Sequence, residues 1–367
     1  MSPRIRTAAA PHARARSSLA RIQTIRLLAL VPALIAAVIN TGYQYLAALR
    51  AVGGIEDGDW RDHLIAGLGL NYAEPSWLDI ITAGLVHVLP VLVTALIVGG
   101  VWEQAFAIVR RRRRESGLLV IAVLMTLLMP PAVSMAHLAF GMSFAIIFGK
   151  AIFGGEGKTF LNPAVLGAAV LLISFPTALA GHPLWTGIVG YAGTRAFALY
   201  AGSGGEALAA AGIDGWHALL GNVQGMMGTT SLVAIALGGA VLVATRIASW
   251  RLILGQLLGL VTAVALCNAF GEGAGIATLA WHWHLLLGGF AFGAVFLATD
   301  PASSASTNAG RWVQGLIVGA LVVMIRVGNP AHPDGAILAV LMGSVLAPLI
   351  DQVVVWFNVR KRARAHG

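Results

Sequence analysis

The residues best suited to chemistry lie in Phe153-Gly154-Gly155-Glu156-Gly157-Lys158-Thr159-Phe160-Leu161-Asn162-Pro163, between two long apolar runs. The run combines three glycines with a carboxylate and an ammonium. Its Gly-x-Gly spacing lets backbone approach a ligand or a neighbouring helix closely. Asn162-Pro163 reads as a helix start, because Asn caps orphan amides and Pro is tolerated in the first turn. Polar, non-helical backbone between membrane spans persists where protein buries it or where it lines a wet cavity. The glycine spacing upstream of Lys158-Thr159 does not make a Walker sequence, so nucleotide phosphate is not the expected guest.

Two carboxylates add to this. Asp300-Pro301, followed by Ser303, closes an apolar run and offers oxygen ligands to Na+; the same residues suit an Asx-Pro turn with helix capping. Asp351 lies inside the last apolar run, where a carboxylate is expensive and marks an ion path, or where it pairs with Arg360 or Lys361. His282 and His284 point about 200° apart on one helix and cannot serve one metal together. A haem reading would need His87 or His137 on facing helices; histidines held by backbone are the plainer reading.

These groups sit in a chain built for a bilayer. Hydrophobic residues make up 58% and charged residues 11%, against roughly 25% charged in soluble domains, and the mean hydropathy is +0.82. The fold class expected is an all-α integral membrane protein. About ten apolar runs approach the length of a span: Leu27–Leu49, Leu78–Val109, Gly117–Met129, Val133–Gly149, Ala164–Ala180, Ser231–Ala248, Leu252–Phe270, Ile276–Ala298, Trp312–Val327 and Ala336–Phe357. The third and fourth are short and flank Pro130-Pro131, which fits either a broken pair or two spans completed by helical ends beyond the apolar runs.

Charge tests this count. The net charge is +9, but the basic residues cluster at the ends of apolar runs, which is topology rather than a nucleic-acid stripe. Ten crossings put every Lys and Arg on one side except Arg50, Arg61, Arg195 and Arg326. By the positive-inside rule that side is cytoplasmic and holds both termini. The expected organisation is a basic arm over 1–25, a membrane domain over 26–357 with an extracytoplasmic loop at 181–230, and a basic tail over 358–367. The lone Cys267 excludes a disulfide framework and a thiolate metal site.

Ile152-Phe153-Gly154-Gly155-x-Gly157-Lys158-x-Phe160-Leu161-Asn162-Pro163-Ala164 resembles the signature of the NqrB/RnfD family, the B subunits of Na+-translocating NADH:quinone oxidoreductases and the related D subunits of Rnf complexes. The resemblance recurs at Asn40-Thr41-Gly42-Tyr43-Gln44, Thr245–Arg251, Trp281–Leu285, Ala298–Ser303 and Asp351–Val355. It implies a urea-transporter-like architecture with an inverted repeat and re-entrant or broken segments. Asn329-Pro330-Ala331, repeating Asn162-Pro163-Ala164, fits that scheme.

The resemblance further implies a subunit of a redox-driven pump in a bacterial inner membrane. NADH-oxidising and other integral membrane subunits would be its partners, with quinone as substrate, FMN and riboflavin as cofactors, and Na+ or H+ as cargo. It places quinone near Gly154 and Gly155, with Lys158 in the same region; an ion path at Asp300 and Asp351 rests on the chemistry of those two carboxylates. Membrane lipid is a partner; nucleic acid is not. No dinucleotide fingerprint with a ribose-binding acid is present, so NADH must be handled by another chain of the complex.

Three positions depart from the family pattern. In the segment that carries covalent FMN in the family, the Asp is Val189 and the acceptor Thr is Arg195, with Thr194 one residue early. An Arg offers no hydroxyl nucleophile. Either Thr194 accepts the flavin in a shifted register or the site is not covalently flavinylated, with Arg195 left to pair with a phosphate. The Glu before the sixth span is Thr229, where Thr229 and Thr230 would cap a helix instead. An alternative function follows: the same scaffold without covalent flavin, as an accessory or solute- or ion-conducting subunit of another membrane complex.

Overall fold

A computed structural model of the chain describes residues 18–54, 59–111, 117–176, 186, 188, 196–270, 275–329 and 335–366. Among them the regular structure is entirely helical. Five helices are long and apolar enough to cross a bilayer: α1 (Leu19–Val52), α3 (Trp77–Arg110), α10 (Trp250–Phe270), α13 (Asn308–Gly328) and α14 (Ala336–His366). Four shorter apolar helices join them: α4 (Leu118–Leu127), α5 (Met135–Ile146), α6 (Pro163–Ser174) and α9 (Leu232–Ala244). The protein is thus a multi-pass, all-α membrane protein. Short α2 (Trp60–Gly67), α7 (Ala196–Ala210) and α8 (Gly215–Leu220) complete the N-terminal three-fifths.

Nine of the ten apolar runs correspond to one helix each. The eighth, 276–298, does not: it breaks into a short turn at Gly275–Thr278, α11 (Trp281–Leu286), α12 (Phe290–Phe292) and a π turn at Gly293–Leu297. Gly288, at φ +74, and Gly289 interrupt it. The expected break at Pro130-Pro131 is present between α4 and α5. There Gly228 N donates to Leu127 O at 2.8 Å and Met227 N to Met129 O at 3.1 Å, so the second half supplies donors to the end of α4. The cap of α9 is Ser231, which accepts from Ala234 N, rather than Thr229 or Thr230; the Thr229 hydroxyl instead donates back to Met226 O.

Two half-helices end alike. α5 runs into a π turn at Ile147–Ala151, then the glycine segment, then α6; α12 runs into its π turn at Gly293–Leu297, then residues 298–307, then α13. π turns recur at functional sites because the extra residue re-aims side chains. The backbone-to-backbone packing that holds this arrangement is clearest between α10 and α13. Gly255 and Gly259 on one helix face Gly315 and Gly319 on the other, with Leu316 O so near Gly259 that a Cβ there would lie 2.2 Å from it. Small residues four apart on both helices let two backbones meet, where van der Waals contact must hold helices together in lipid.

Candidate functional site

The glycine segment folds as a tight hairpin. Gly154, Gly155 and Gly157 have φ of +104, +107 and +78, which L side chains adopt only under strain. Gly155 N donates to Lys150 O at 3.2 Å, pinning the hairpin to the π turn. Asn162 closes it as expected, accepting from Ala164 N at 3.1 Å with Pro163 in the first turn of α6. The same side chain places its Nδ2 3.4 Å from Leu297 O. One amide therefore caps α6 and reaches the second π turn.

The two interrupted segments thus meet, and a cavity of about 210 Å3 lies between them. Glu156, Gly157, Thr159 and Asn162 line it from the hairpin, Lys150 from the first π turn, and Asp300, Pro301 and Ala302 from the second turn. The start of α1 closes it with Leu19, Ile22, Gln23 and Arg26, and Ile121 and Leu124 of α4 add apolar wall. Gln23 Oε1 is buried without a hydrogen-bond partner among the described residues. A buried polar atom of this kind calls for a partner. A Gln, an Asn, a Thr, two cations and two carboxylates set in apolar walls offer donors and acceptors to a guest with polar edges.

Charges in the wall are matched across elements. Arg26 Nη2 lies 3.4 Å from Asp300 Oδ2, the two side chains being 13% and 6% exposed. Asp300 also accepts from Ala302 N at 3.2 Å, so it makes the Asx turn as well as the ion pair. Lys150 pairs with Glu103 of α3. The carboxylate of Glu156 packs against Gly117, where a Cβ would lie 2.9 Å from Glu156 Cδ.

Of the positions singled out in the sequence, Asp300 lines the cavity, and Gly154 and Gly155 shape the hairpin beside it without lining it. Lys158 is exposed. Asp351 does not line the cavity and does not pair with Arg360 or Lys361. It accepts from Ser306 N at 2.6 Å and Thr307 N at 3.1 Å and from the Thr307 hydroxyl, holding the start of α13. Thr194 and Arg195 lie outside the described residues. His87 follows the backbone-held reading, its Nδ1 lying 2.9 Å from Ala83 O, whereas His284 Nδ1 is 3.2 Å from a side chain, the buried guanidinium of Arg326.

Gln23, Arg26, Lys150 and Glu103 carry no motif. In the sequence Arg26 and Lys150 read only as charges at span ends, and nothing distinguishes Gln23 from an interfacial amide.

Comparison with known proteins agrees with the resemblance noted in the sequence. The chain is 41% identical over 356 residues to the B subunit of the Na(+)-translocating NADH-quinone reductase of Azotobacter vinelandii, covering 96% of this chain and 88% of that protein. It is 41% identical over 360 residues to the protein of the same name from Pseudomonas paraeruginosa, covering 97% and 89%. With that from Klebsiella pneumoniae it shares 39% over 368 residues, again covering 97% and 89%. A profile of the NQR2, RnfD, RnfE family matches residues 6–359, and the chain belongs to that family.

Proposed function

We propose that this chain is the membrane subunit of a multisubunit, redox-driven Na+ pump, relaying electrons from an NADH-oxidising partner through flavin to quinone. The observation that supports this reading best is the meeting of the glycine hairpin and the Asp300 turn around one cavity that Gln23 also lines, its buried Oε1 without a hydrogen-bond partner among the described residues. The names of its relatives support the class of complex. A bound flavin or quinone supplies the electron carriage that no side chain here provides.

The residues present have distinct tasks in this reading. Gly154 and Gly155 keep the hairpin backbone low beside the ring, Asn162 and Gln23 read its polar edges, and Leu124 and Ile121 exclude water. Asp300 and Asp351 belong to the ion path, with Lys158 near the quinone entrance. Quinone and riboflavin are the ring guests proposed for the cavity region. FMN belongs to the extracytoplasmic segment at Thr194 and Arg195. The chain sits in a bacterial inner membrane with both termini in the cytoplasm.

A second reading rests on Val189, Arg195 and Thr229, which remove the family's flavin-acceptor context and an acid. It makes the chain a flavin-free accessory or conducting subunit. The discriminating experiment is ultraviolet fluorescence of the denatured chain on a gel, together with cofactor extraction from the native complex. A fluorescent band lost in Thr194→Ala establishes covalent FMN at that residue. Extracted but non-covalent flavin fits an Arg195 phosphate contact. No flavin of either kind selects the second reading.

A further inference from the structure

The segment between α8 and α9 gathers buried oxygens away from the cavity described above. Asn40 of α1 donates through Nδ2 to Val223 O at 3.0 Å, while its Oδ1 is shut off from solvent without a hydrogen-bond partner among the described residues. Gln224, the residue after Val223, has its Oε1 in the same condition, and so does the hydroxyl of Thr230, a residue 3% exposed. Thr230 packs on the same stretch: a Cβ at Gly225 would lie 3.3 Å from its methyl and 3.6 Å from the Thr229 hydroxyl. The neighbouring hydroxyls are engaged elsewhere, since Thr229 donates to Met226 O and Ser231 caps α9. Three buried oxygens around residues 223–225 thus call for a partner.

Their depth narrows what that partner is. α4 has 10 residues, so it rises about 15 Å, half of a roughly 30 Å hydrocarbon core. Its C-terminal end meets this segment through the bonds from Met227 N and Gly228 N, and so turns the negative end of its dipole toward it. Half-helix ends and unwound backbone at mid-membrane depth are where small cations are held. Two of the three oxygens belong to amides and can only accept. Residues 221–231 contain no Asp or Glu, and a set of neutral oxygens fits a monovalent cation better than a divalent one, whose sites are built on carboxylates.

We propose that Asn40, Gln224 and Thr230 form a binding site for a dehydrated Na+ ion where α1, the end of α4 and the start of α9 come together. The site lies apart from the cavity at Asp300 and Arg26, none of whose lining residues it shares. It deepens the reading of the chain as part of a Na+ pump and rests on that reading for the identity of the ion. Asn40 is fixed for the task by its own amide nitrogen, which the Val223 carbonyl holds, so its oxygen is oriented before the ion arrives.

The test uses the full-length chain in lipid nanodiscs, with NaCl replacing choline chloride at constant ionic strength. The thermal midpoint is expected to rise with Na+ and to give an apparent Kd. Thr230→Val, which keeps the side-chain shape, and Gln224→Met are each expected to raise that Kd by about tenfold or more, the scale of one interaction between a polar group and a charge. Thr229→Glu sets a carboxylate beside the same oxygens and is expected to lower it by a similar factor. No rise with Na+ in the wild type overturns the proposal, the oxygens then holding water only. An unchanged Kd in both Thr230→Val and Gln224→Met overturns it too, because the ion then binds elsewhere. Should neither of these variants fold, an unchanged Kd in Thr229→Glu does the same. Flavin extracted from the native complex is read separately: Na+ binding as expected in a complex without flavin keeps this site and removes the redox-pump reading.

Discussion

Arg26 on α1 and Asp300, after the second π turn, are joined by a 3.4 Å ion pair at the edge of the cavity. The pair fastens the N-terminal helix to the second interrupted segment. Asp300→Asn leaves a guanidinium that is 13% exposed without its carboxylate. We expect a loss of about 2 kcal/mol, below the cost of breaking a fully buried pair because Arg26 retains some water. Thermal unfolding of the purified chain checks this. In the assembled complex the same variant is expected to lose much of the stimulation of turnover by Na+; full stimulation would take Asp300 out of the ion path.

Asp351 makes a different prediction, because its oxygens receive the Ser306 and Thr307 amides and the Thr307 hydroxyl. Asp351→Ala removes all of these acceptors and is expected to cost about 2 kcal/mol, as for loss of a strong helix cap. Asp351→Ala and Thr307→Val should combine to less than the sum of their separate effects, since they share one hydrogen bond. Denaturation of the two single variants and the double variant reads that coupling. Asp351→Asn keeps an acceptor, so it separates capping from ion handling: reduced Na+ stimulation in a stable protein keeps Asp351 in the path, whereas normal stimulation leaves it a cap.

The contrast between these two carboxylates shows what the sequence could and could not say. Both were legible as costly acids, because an acid beside or inside an apolar run stands out by composition alone. Their partners were not. Asp300 lies 274 positions from Arg26, and Asp351 binds a segment some 45 positions away, so only the folded chain brings them together. Helix existence was legible because hydropathy is a local property, and Asn162-Pro163 was legible because a cap is too. The broken eighth run was not, since Ile276–Ala298 is apolar enough to read as one run despite His282 and His284, and Gly288-Gly289 becomes a break only through the positive φ that Gly288 adopts in the fold. Gln23 joined the site without any signal, as its role depends on what lies opposite.

Gly155 tests the hairpin directly. At φ +107 a side chain is strained whatever space surrounds it, at about 1–2 kcal/mol for a non-glycine residue in this region. Relief of that strain would turn the peptide and weaken the Gly155–Lys150 hydrogen bond. Gly155→Leu is therefore expected to impair quinone reduction severalfold while flavin content, measured after extraction, stays at the wild-type level. Unaltered quinone turnover in this variant would contradict a ring site beside the hairpin. Gly155→Ala should show the same defect in milder form, because it adds strain with little bulk.

Gly259 on α10 carries the prediction least tied to any cofactor. A Cβ there would stand 2.2 Å from Leu316 O, and Gly319 on α13 would place one 2.0 Å from Gln256 O. No rotamer relieves a clash between a Cβ and a backbone carbonyl, so the helices must separate. Separation loses dispersion contacts along the whole interface, and lipid does not restore them as water restores a polar surface. Gly259→Val is expected to destabilise the chain by about 3 kcal/mol or more, on the scale of severe overpacking. Gly100→Val is the comparison, since a Cβ there meets nothing nearer than 3.8 Å. Thermal aggregation in detergent should drop sharply in midpoint for the first variant and little for the second. Equal midpoints would mean that α10 and α13 do not meet backbone to backbone, and the frame that brings the second π turn to the hairpin would have to be drawn differently.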